Sequence, residues 1–423
     1  DHSTQAYVHE IIKKYSKNFP KIKVHINEKH SHISETSNNA LKLAKGEYVV
    51  LMDHDDLLRP HSLLRFAEAI SNNNKLKLIY SDEDKIDLKG LRYNPYFKPD
   101  WNPDLLLAQN YICHLTCIRK NLVNRIGNFK QGFEGSQDWD LFLRTTETLN
   151  DSEILHIPEI LYHWRAIDSS TATKLSNKDY ALKSAIKALN EHHTRMKTCG
   201  TPKVLKNGYF KTNYCLQKKL KCSIIIPTCN GGKVLKRCLS SIYQNSDSSK
   251  FEILLIDNGS DCSDTINLFS NFQNQYQNFR IIHDNSEFNY SALNNNAVKI
   301  CKNDILIFLN DDTEILTKNW LVDLMSNAVR PKVGAVGGKL LYPNGTIQHA
   351  GVILGIGGVA GHAFKTKPVN YSGHMNRSNL SHNVSAVTGA CLAIEKNKFK
   401  QVEGFDELNL KIAFNDVDLC LKL

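Results

Sequence analysis

The 423-residue sequence has no apolar run approaching the roughly 20 residues that cross a bilayer, and no signal peptide is visible. A spanning helix is therefore not expected. It has no CxxC pair, no RNP, helix-turn-helix or zinc signature, and neither GxxxxGK[ST] nor GxGxxG. These absences argue against a zinc module, a nucleic-acid reader and a phosphate loop at Gly231-Gly232. Basic residues do not run together. The net charge of +10 and pI near 8.9 come from scattered lysines, which read as solvated surface. That charge permits a phosphate-bearing partner without demanding one. The eleven cysteines are odd in number and scattered, which suits a reducing cytoplasm, and Cys113 and Cys117 read as core.

Apolar content is ordinary at 41%, with 23% charged, enough for two buried cores in a chain of this length. A repeat organises them. Tyr48-Val49-Val50-Leu51-Met52 ends in Asp53-His54-Asp55-Asp56, and Ile305-Leu306-Ile307-Phe308-Leu309 ends in Asn310-Asp311-Asp312. A shift of 257 residues lays Ser34 on Ser291, Asn38 on Asn295, Ala40 on Ala297 and, without a gap, Asp55 on Asp312. Each copy is a buried strand that delivers carboxylates to its C-terminal end. A surface turn or a helix cap would explain one copy; two copies of domain length point to duplicated units. Farther on, Gln137-Asp138-Trp139-Asp140 and Asn415-Asp416-Val417-Asp418 form a second acidic station in each.

Periodicity predicts helices over 5–19 and 34–45, strands over 21–26, 48–52, 76–80 and 111–118, and an irregular loop over 93–104. Helices follow at 138–147 and 180–196, with a hairpin turn at Asn207-Gly208. Cys222–Thr228 opens the second unit as a strand, and strand–helix alternation there predicts a mostly parallel sheet covered on both faces. The expected division is 1–167, a connector over 168–221, and 222–423. The sequence opens at Asp1 in loop-like Asp-His-Ser-Thr and stops at Leu423 inside an expected helix, and reads as a fragment cut at both ends.

Ile224-Ile225-Ile226-Pro227-Thr228, Asp257-Asn258-Gly259-Ser260, Asn310-Asp311-Asp312 and Asn415-Asp416-Val417-Asp418 together resemble the family-2 inverting glycosyltransferases of GT-A fold, especially tandem bacterial enzymes of O-antigen and capsule assembly. The first unit resembles them through Asp53–Asp56, Tyr80-Ser81-Asp82-Glu83-Asp84-Lys85, Gln137–Asp140 and Tyr162-His163-Trp164-Arg165. The resemblance implies two Rossmann-like α/β domains, each with a mostly parallel sheet, that transfer sugar from UDP- or dTDP-linked donors, as hexosyl- or rhamnosyltransferases, with Mn²⁺ or Mg²⁺. It implies Asp138 and Asp416 as general bases, with Asp140 and Asp418 able to exchange roles with them. It places Asp55, Asp312 and His163 on the metal, and Asp53, Asp311, Arg165, Pro227, Asn230, Asp257, Asn258 and Ser260 around the donor. The acceptor would be a growing surface glycan, lipid-linked, met at the inner face of the cytoplasmic membrane. A non-catalytic nucleotide-sugar or glycan-binding module is the alternative. The departures are Asn310 where the first unit has Asp53, an opening strand missing from the first unit, whose Asp1 matches the second residue of the family's Asp-Asp pair, and no counterpart of His163-Trp164-Arg165 in the second.

Overall fold

The computed structural model describes residues 2–165 and 176–423, so Asp1 and the 166–175 part of the expected boundary lie outside the described residues. The chain divides into unit 1, residues 1–213 with His374–Asn383, and unit 2, residues 214–373 with Val384–Leu423.

Unit 1 opens with helices α1 (Ala6–Asn18) and α2 (Ile33–Leu43), then strands β1 (Tyr48–Leu51) and β2 (Leu57–Leu58). There follow α3 (Ser62–Asn72), β3 (Leu78–Ile86), β4 (Arg92–Tyr96), α4 (Pro103–Ala108) and β5 (Thr116–Arg119). The unit continues through α5 (Lys120–Arg125), α6 (Gln137–Thr146), β6 (Ile154–Arg165), α7 (Ser176–Arg195), β7 (Gly200–Val204) and β8 (Phe210–Tyr214). Its sheet runs β1-β5-β3-β6-β2, with β4 on β3. Only β3 and β6 pair in parallel among the described residues, so this sheet is mixed where a mostly parallel one was expected.

Alternation along β3 and β5 sends Leu78, Tyr80 and Ile118 into one apolar core and Ile79 and Cys117 into another on the opposite face. The expected strand over 21–26 does not form. Its counterpart in the repeat, Phe279–His283, pairs with a strand that unit 1 does not have among the described residues. For the same reason α1 buries no residue. The 76–80 strand runs on through the acidic residues to Ile86, because each carboxylate finds a partner. Asp82 meets His156 Nε2 at 2.8 Å, Glu83 meets Lys98 Nζ at 3.0 Å, and Asp84 meets Arg92 Nε at 2.7 Å and His163 Nδ1. The 111–118 strand shortens to β5, since Cys113 takes a positive φ of 39°. The 93–104 stretch contains the end of β4 and the start of α4, whose Asn102 cap accepts from Leu105 N–H at 3.1 Å.

Of the expected 168–221 connector, the described residues up to Asn213 fall in unit 1 and those from Tyr214 in unit 2. Ala185, Ala188 and Leu189 of α7 and Phe210 of β8 join the first core beside Trp139 and Phe142. Nine cysteines are free, and Cys199 and Cys215, at the two ends of the β7–β8 hairpin, are disulfide-bonded. An antiparallel hairpin brings its ends together, which the scatter of cysteines in sequence hides.

Unit 2 contains β9 (Cys222–Thr228), α8 (Gly232–Asn245), β10 (Phe251–Asp257), α9 (Ser263–Gln275), β11 (Phe279–His283), α10 (Tyr290–Ile300) and β12 (Ile305–Leu309). Next come α11 (Trp320–Ala328), β13 (Ala335–Gly337), β14 (Leu340–Leu341), β15 (Ile347–His349), β16 (Val352–Leu354) and β17 (Ala360–His362). It closes with β18 (Cys391–Glu395), α12 (Lys396–Gln401) and α13 (Asn415–Lys422). The main sheet is ordered β11-β10-β9-β12-β18-β13, parallel from β11 to β12 and antiparallel beyond. Ile224, Ile226, Ile305 and Ile307 pack under α8, α9 and α11; Ile225, Leu306 and Phe308 pack on the other face under α10 and α12. Both faces of these strands are covered, which is why they read as continuous apolar runs. No helix among the described residues is long and apolar enough to cross a membrane.

Candidate active sites

In unit 2 the chain runs β9, β10, β11 outward on one side, then returns to place β12 on the other side of β9. The strand order therefore reverses between β9 and β12, and open α/β sheets bind ligands in the crevice beyond such a point. Thr228 ends β9 and Asn310-Asp311-Asp312 follows β12, so the repeat's carboxylates stand at the reversal. Thr228 Oγ1 donates to Asp311 Oδ2 at 2.6 Å. Burial, then repulsion from Asp312 against the Thr228 hydrogen bond, leaves the Asp311 carboxyl above its usual value.

The donor residues expected on this edge converge. Asp257 ends β10, accepts from Ser260 N–H at 3.0 Å, and meets His283 Nδ1 at 3.0 Å. Asn258 donates to the carbonyls of Asp284 and Ser286. Asn230 accepts from the N–H groups of Asp261 and Cys262, and its own N–H donates to Ser260 Oγ at 2.9 Å. These bonds lace the loops after β9 and β10, beside Pro227, into one rim.

Unit 1 builds its acidic turn differently. Tyr162 donates to Asp56 and accepts from Asp53 N–H at 3.2 Å, while Arg165 N–H donates to Asp56 Oδ1 at 2.7 Å. Arg165 Nε donates to the Asp55 carbonyl at 2.6 Å. The end of β6 thus clamps the Asp53–Asp56 turn, with Arg165 bonded to it through its backbone N–H and Nε. His163 meets Asp84 through Nδ1. Burial leaves Asp56 with a raised pKa. Asp53 lies 3.4 Å from His114 Nε2, and that hydrogen bond lowers its pKa although burial opposes it. His114 stacks on Tyr162 with centroids 4.9 Å apart. Sequence reading missed His114, and no spacing signals it: its partners lie 61 and 48 positions away.

Asp138 and Asp416 sit in the first turn of α6 and α13, one position inside the helix and not at its cap. Asp138 Oδ1 accepts from Trp139 N–H at 2.8 Å and Oδ2 from Asn110 Nδ2 at 2.8 Å. Asp416 Oδ1 accepts from Val417 N–H at 2.9 Å and Oδ2 from Gly389 N–H at 2.9 Å. Both outer donors belong to the segment before an antiparallel strand, β5 or β18. Burial raises the Asp138 carboxyl above its usual value. Asp140, by contrast, is fully buried and ion-paired with Arg144 at 2.6 Å, so it has no access to solvent. Asp418 pairs with Lys422 at 2.6 Å.

Asp55 and Asp312 follow their strands with carboxylates that no described residue hydrogen-bonds, unlike their neighbours Asp56 and Asp311. Among the described residues no three His, Cys, Asp or Glu side chains converge as a metal cage. One such carboxylate in each unit, a hard oxygen ligand, suits Mg²⁺ or Mn²⁺ of the kind completed by substrate phosphates.

The profile of Glycosyl transferase family 2 matches residues 1–127 and 223–402. An uncharacterized protein, y4gI, of Sinorhizobium fredii is 41% identical over 425 residues, covering 100% of this chain and 47% of that protein. O-antigen biosynthesis protein RfbC of Myxococcus xanthus is 34% identical over 426 residues, covering 100% of this chain and 33% of that protein. The chain thus spans less than half the length of these relatives. A solved structure of GalNAc-T7 with UDP, GalNAc and Mn²⁺ is 17% identical at a TM-score of 0.41, covering 51% of this chain and 42% of that one.

Proposed function

Because this chain belongs to glycosyl transferase family 2, we propose that each unit transfers a sugar from a nucleotide diphosphate donor to a hydroxyl of a glycan acceptor, with inversion. The observation that carries this reading is the equivalent seat of Asp138 and Asp416. Each carboxylate is held by two hydrogen bonds, one per oxygen, and each oxygen keeps a lone pair for a proton. In the proposed step the acceptor hydroxyl oxygen attacks the anomeric carbon, the bond to the diphosphate breaks, and the hydroxyl proton passes to the carboxylate.

Asp257 keeps lone pairs toward a uracil or thymine imino N–H, and Asp311 and Asp53 face the donor's ribose and sugar. Arg165, anchored through Nε, offers its terminal nitrogens to the diphosphate. Asp55 and Asp312 would hold Mn²⁺ or Mg²⁺, with His163 beside the first. When bound, the ion supplies positive charge to the leaving diphosphate. The name of the RfbC relative supports a cell-surface polysaccharide as product. The +10 charge supports peripheral contact with an anionic membrane carrying a lipid-linked acceptor. Incubating the full-length protein with a panel of UDP- and dTDP-sugars and an acceptor, and weighing the product, tests the reading. One added hexose or deoxyhexose per transfer is expected; no mass gain with any donor contradicts it.

A further inference from the structure

Two histidines of unit 2 stand beside Asp416 and have no part in the reading above. His349 ends β15 and His362 ends β17, and β17 pairs with β16 so that Val352 lies opposite His362. Val352 N–H donates to Ala386 O at 2.9 Å, and both residues pack on Val417 of α13. The hairpin is therefore seated on the helical turn that carries Asp416.

The hydrogen bonds around His349 fix where its proton sits. Its ring is 1% exposed, and Nε2 accepts from the N–H groups of Gly351 at 3.3 Å and Thr388 at 3.4 Å. A nitrogen that accepts carries no hydrogen, so in neutral His349 the proton is on Nδ1. Nδ1 lies 2.8 Å from Nδ1 of His362, with the two rings nearly perpendicular at 85°. His349 donates and His362 Nδ1 accepts, which puts the His362 proton on Nε2. Both rings are held neutral. Burial, then the charge of neighbouring Lys365, lowers His362 against the pull of Asp416, and burial pushes His349 down to about 3. No described residue accepts from His362 Nε2. The relay also ends where the base is set: Thr388 precedes Gly389, whose N–H holds Asp416 Oδ2.

We propose that His362 Nε2–H is a donor that holds an oxygen of the acceptor sugar next to the hydroxyl facing Asp416, with His349 as the positioning residue that sets its tautomer. This rests on Asp416 being the base of unit 2. A neutral N–H donor suits the site because it binds a sugar oxygen without adding a cation that would hold the base's proton back. The Thr388–Gly389 segment orients both the His349 imidazole and the Asp416 carboxylate.

The test uses the full-length protein carrying Asp138→Asn, so that only unit 2 turns over, with thermal unfolding recorded for every variant. His362→Ala is expected to raise the acceptor KM about five- to tenfold, the loss of one hydrogen bond, with donor KM unchanged. His362→Gln, which keeps an N–H donor, recovers most of that loss. His349→Ala raises the acceptor KM in the same direction, and combining it with His362→Ala adds nothing further. An unchanged acceptor KM in folded His362→Ala overturns the proposal, as does a rise confined to donor KM. The His362 pair of variants decides the matter even where His349→Ala fails to fold. Full turnover in Asp416→Asn would instead overturn the base assignment, a result separable from any His362 effect on KM.

Discussion

Asp140 and Arg144, one turn apart on α6, form a buried ion pair, with Oδ2 at 2.6 Å from Nη2 and 2.9 Å from Nε. Arg144 also donates to the carbonyls of Ile126 and Asn128, so the pair pins the loop before the helix. Two positions earlier, Asp138 faces the other way. The two carboxylates of one short motif are thereby separated into a structural one and an available one.

Asp140→Ala should unfold unit 1 more easily by about 3–5 kcal/mol, because it strands a buried guanidinium. Denaturant titration of the full-length protein reads it. Asp138→Asn should shift the same curve little, and an equal loss in both variants would contradict the separation.

Activity should vanish in excess EDTA and return with Mn²⁺ or Mg²⁺. Asp55→Asn and Asp312→Asn should each remove one of two transfers, measured as products of different mass. Undiminished turnover in EDTA would rule out the metal role of both residues.

Acid should weaken unit 2 through His349. Its folded pKa lies near 3 against an ordinary 6.5, so between those values only the unfolded chain takes the proton. Stability is whole above pH 6.5 and falls by about 1.4 kcal/mol per pH unit below it. The raised carboxyl of Asp311 pushes the opposite way, so the comparison is with a His349→Phe variant. Urea midpoints of the two proteins should converge from pH 6.5 to 5; parallel curves would contradict the burial of a neutral ring.

If the basic surface holds the protein on an anionic leaflet, each lysine near the surface contributes about 1 kcal/mol and salt removes it. Washing membranes with high salt should release the full-length protein. Retention until detergent is added would refute purely electrostatic attachment.

The repeat was legible because it rides on local periodicity. The 257-residue shift carries α1 onto α9 (Ala6–Asn18 onto Ser263–Gln275) and α2 onto α10. What α1 packs against was not legible: Leu268, Phe269 and Phe272 of α9 are buried, whereas Ile11 and Tyr15 of α1 are exposed. The expected strand stops at Tyr80, before Asp82, Glu83 and Asp84, because a run of carboxylates signals solvent, and only the distant His156, Lys98, Arg92 and His163 make them strand residues. Asp138 and Asp140 looked interchangeable in sequence, since a spacing of two on a helix does not say which side meets Arg144. His349 and His362 gave no signal at all, because a tautomer relay is set by backbone N–H groups that no motif records.

The most direct test of the account measures transfer and donor affinity together in Asp138→Asn and Asp416→Asn variants of the full-length protein. Each should lose the transfer of its own unit by on the order of 10²–10⁴-fold while donor affinity stays within twofold, since a base acts on the acceptor hydroxyl and not on the nucleotide. The acid limb of unit 1 in the unmutated protein should lie above the ordinary carboxylate value, because burial raises Asp138. Turnover unchanged in both variants, with the fold intact, would contradict the assignment of these two carboxylates as bases.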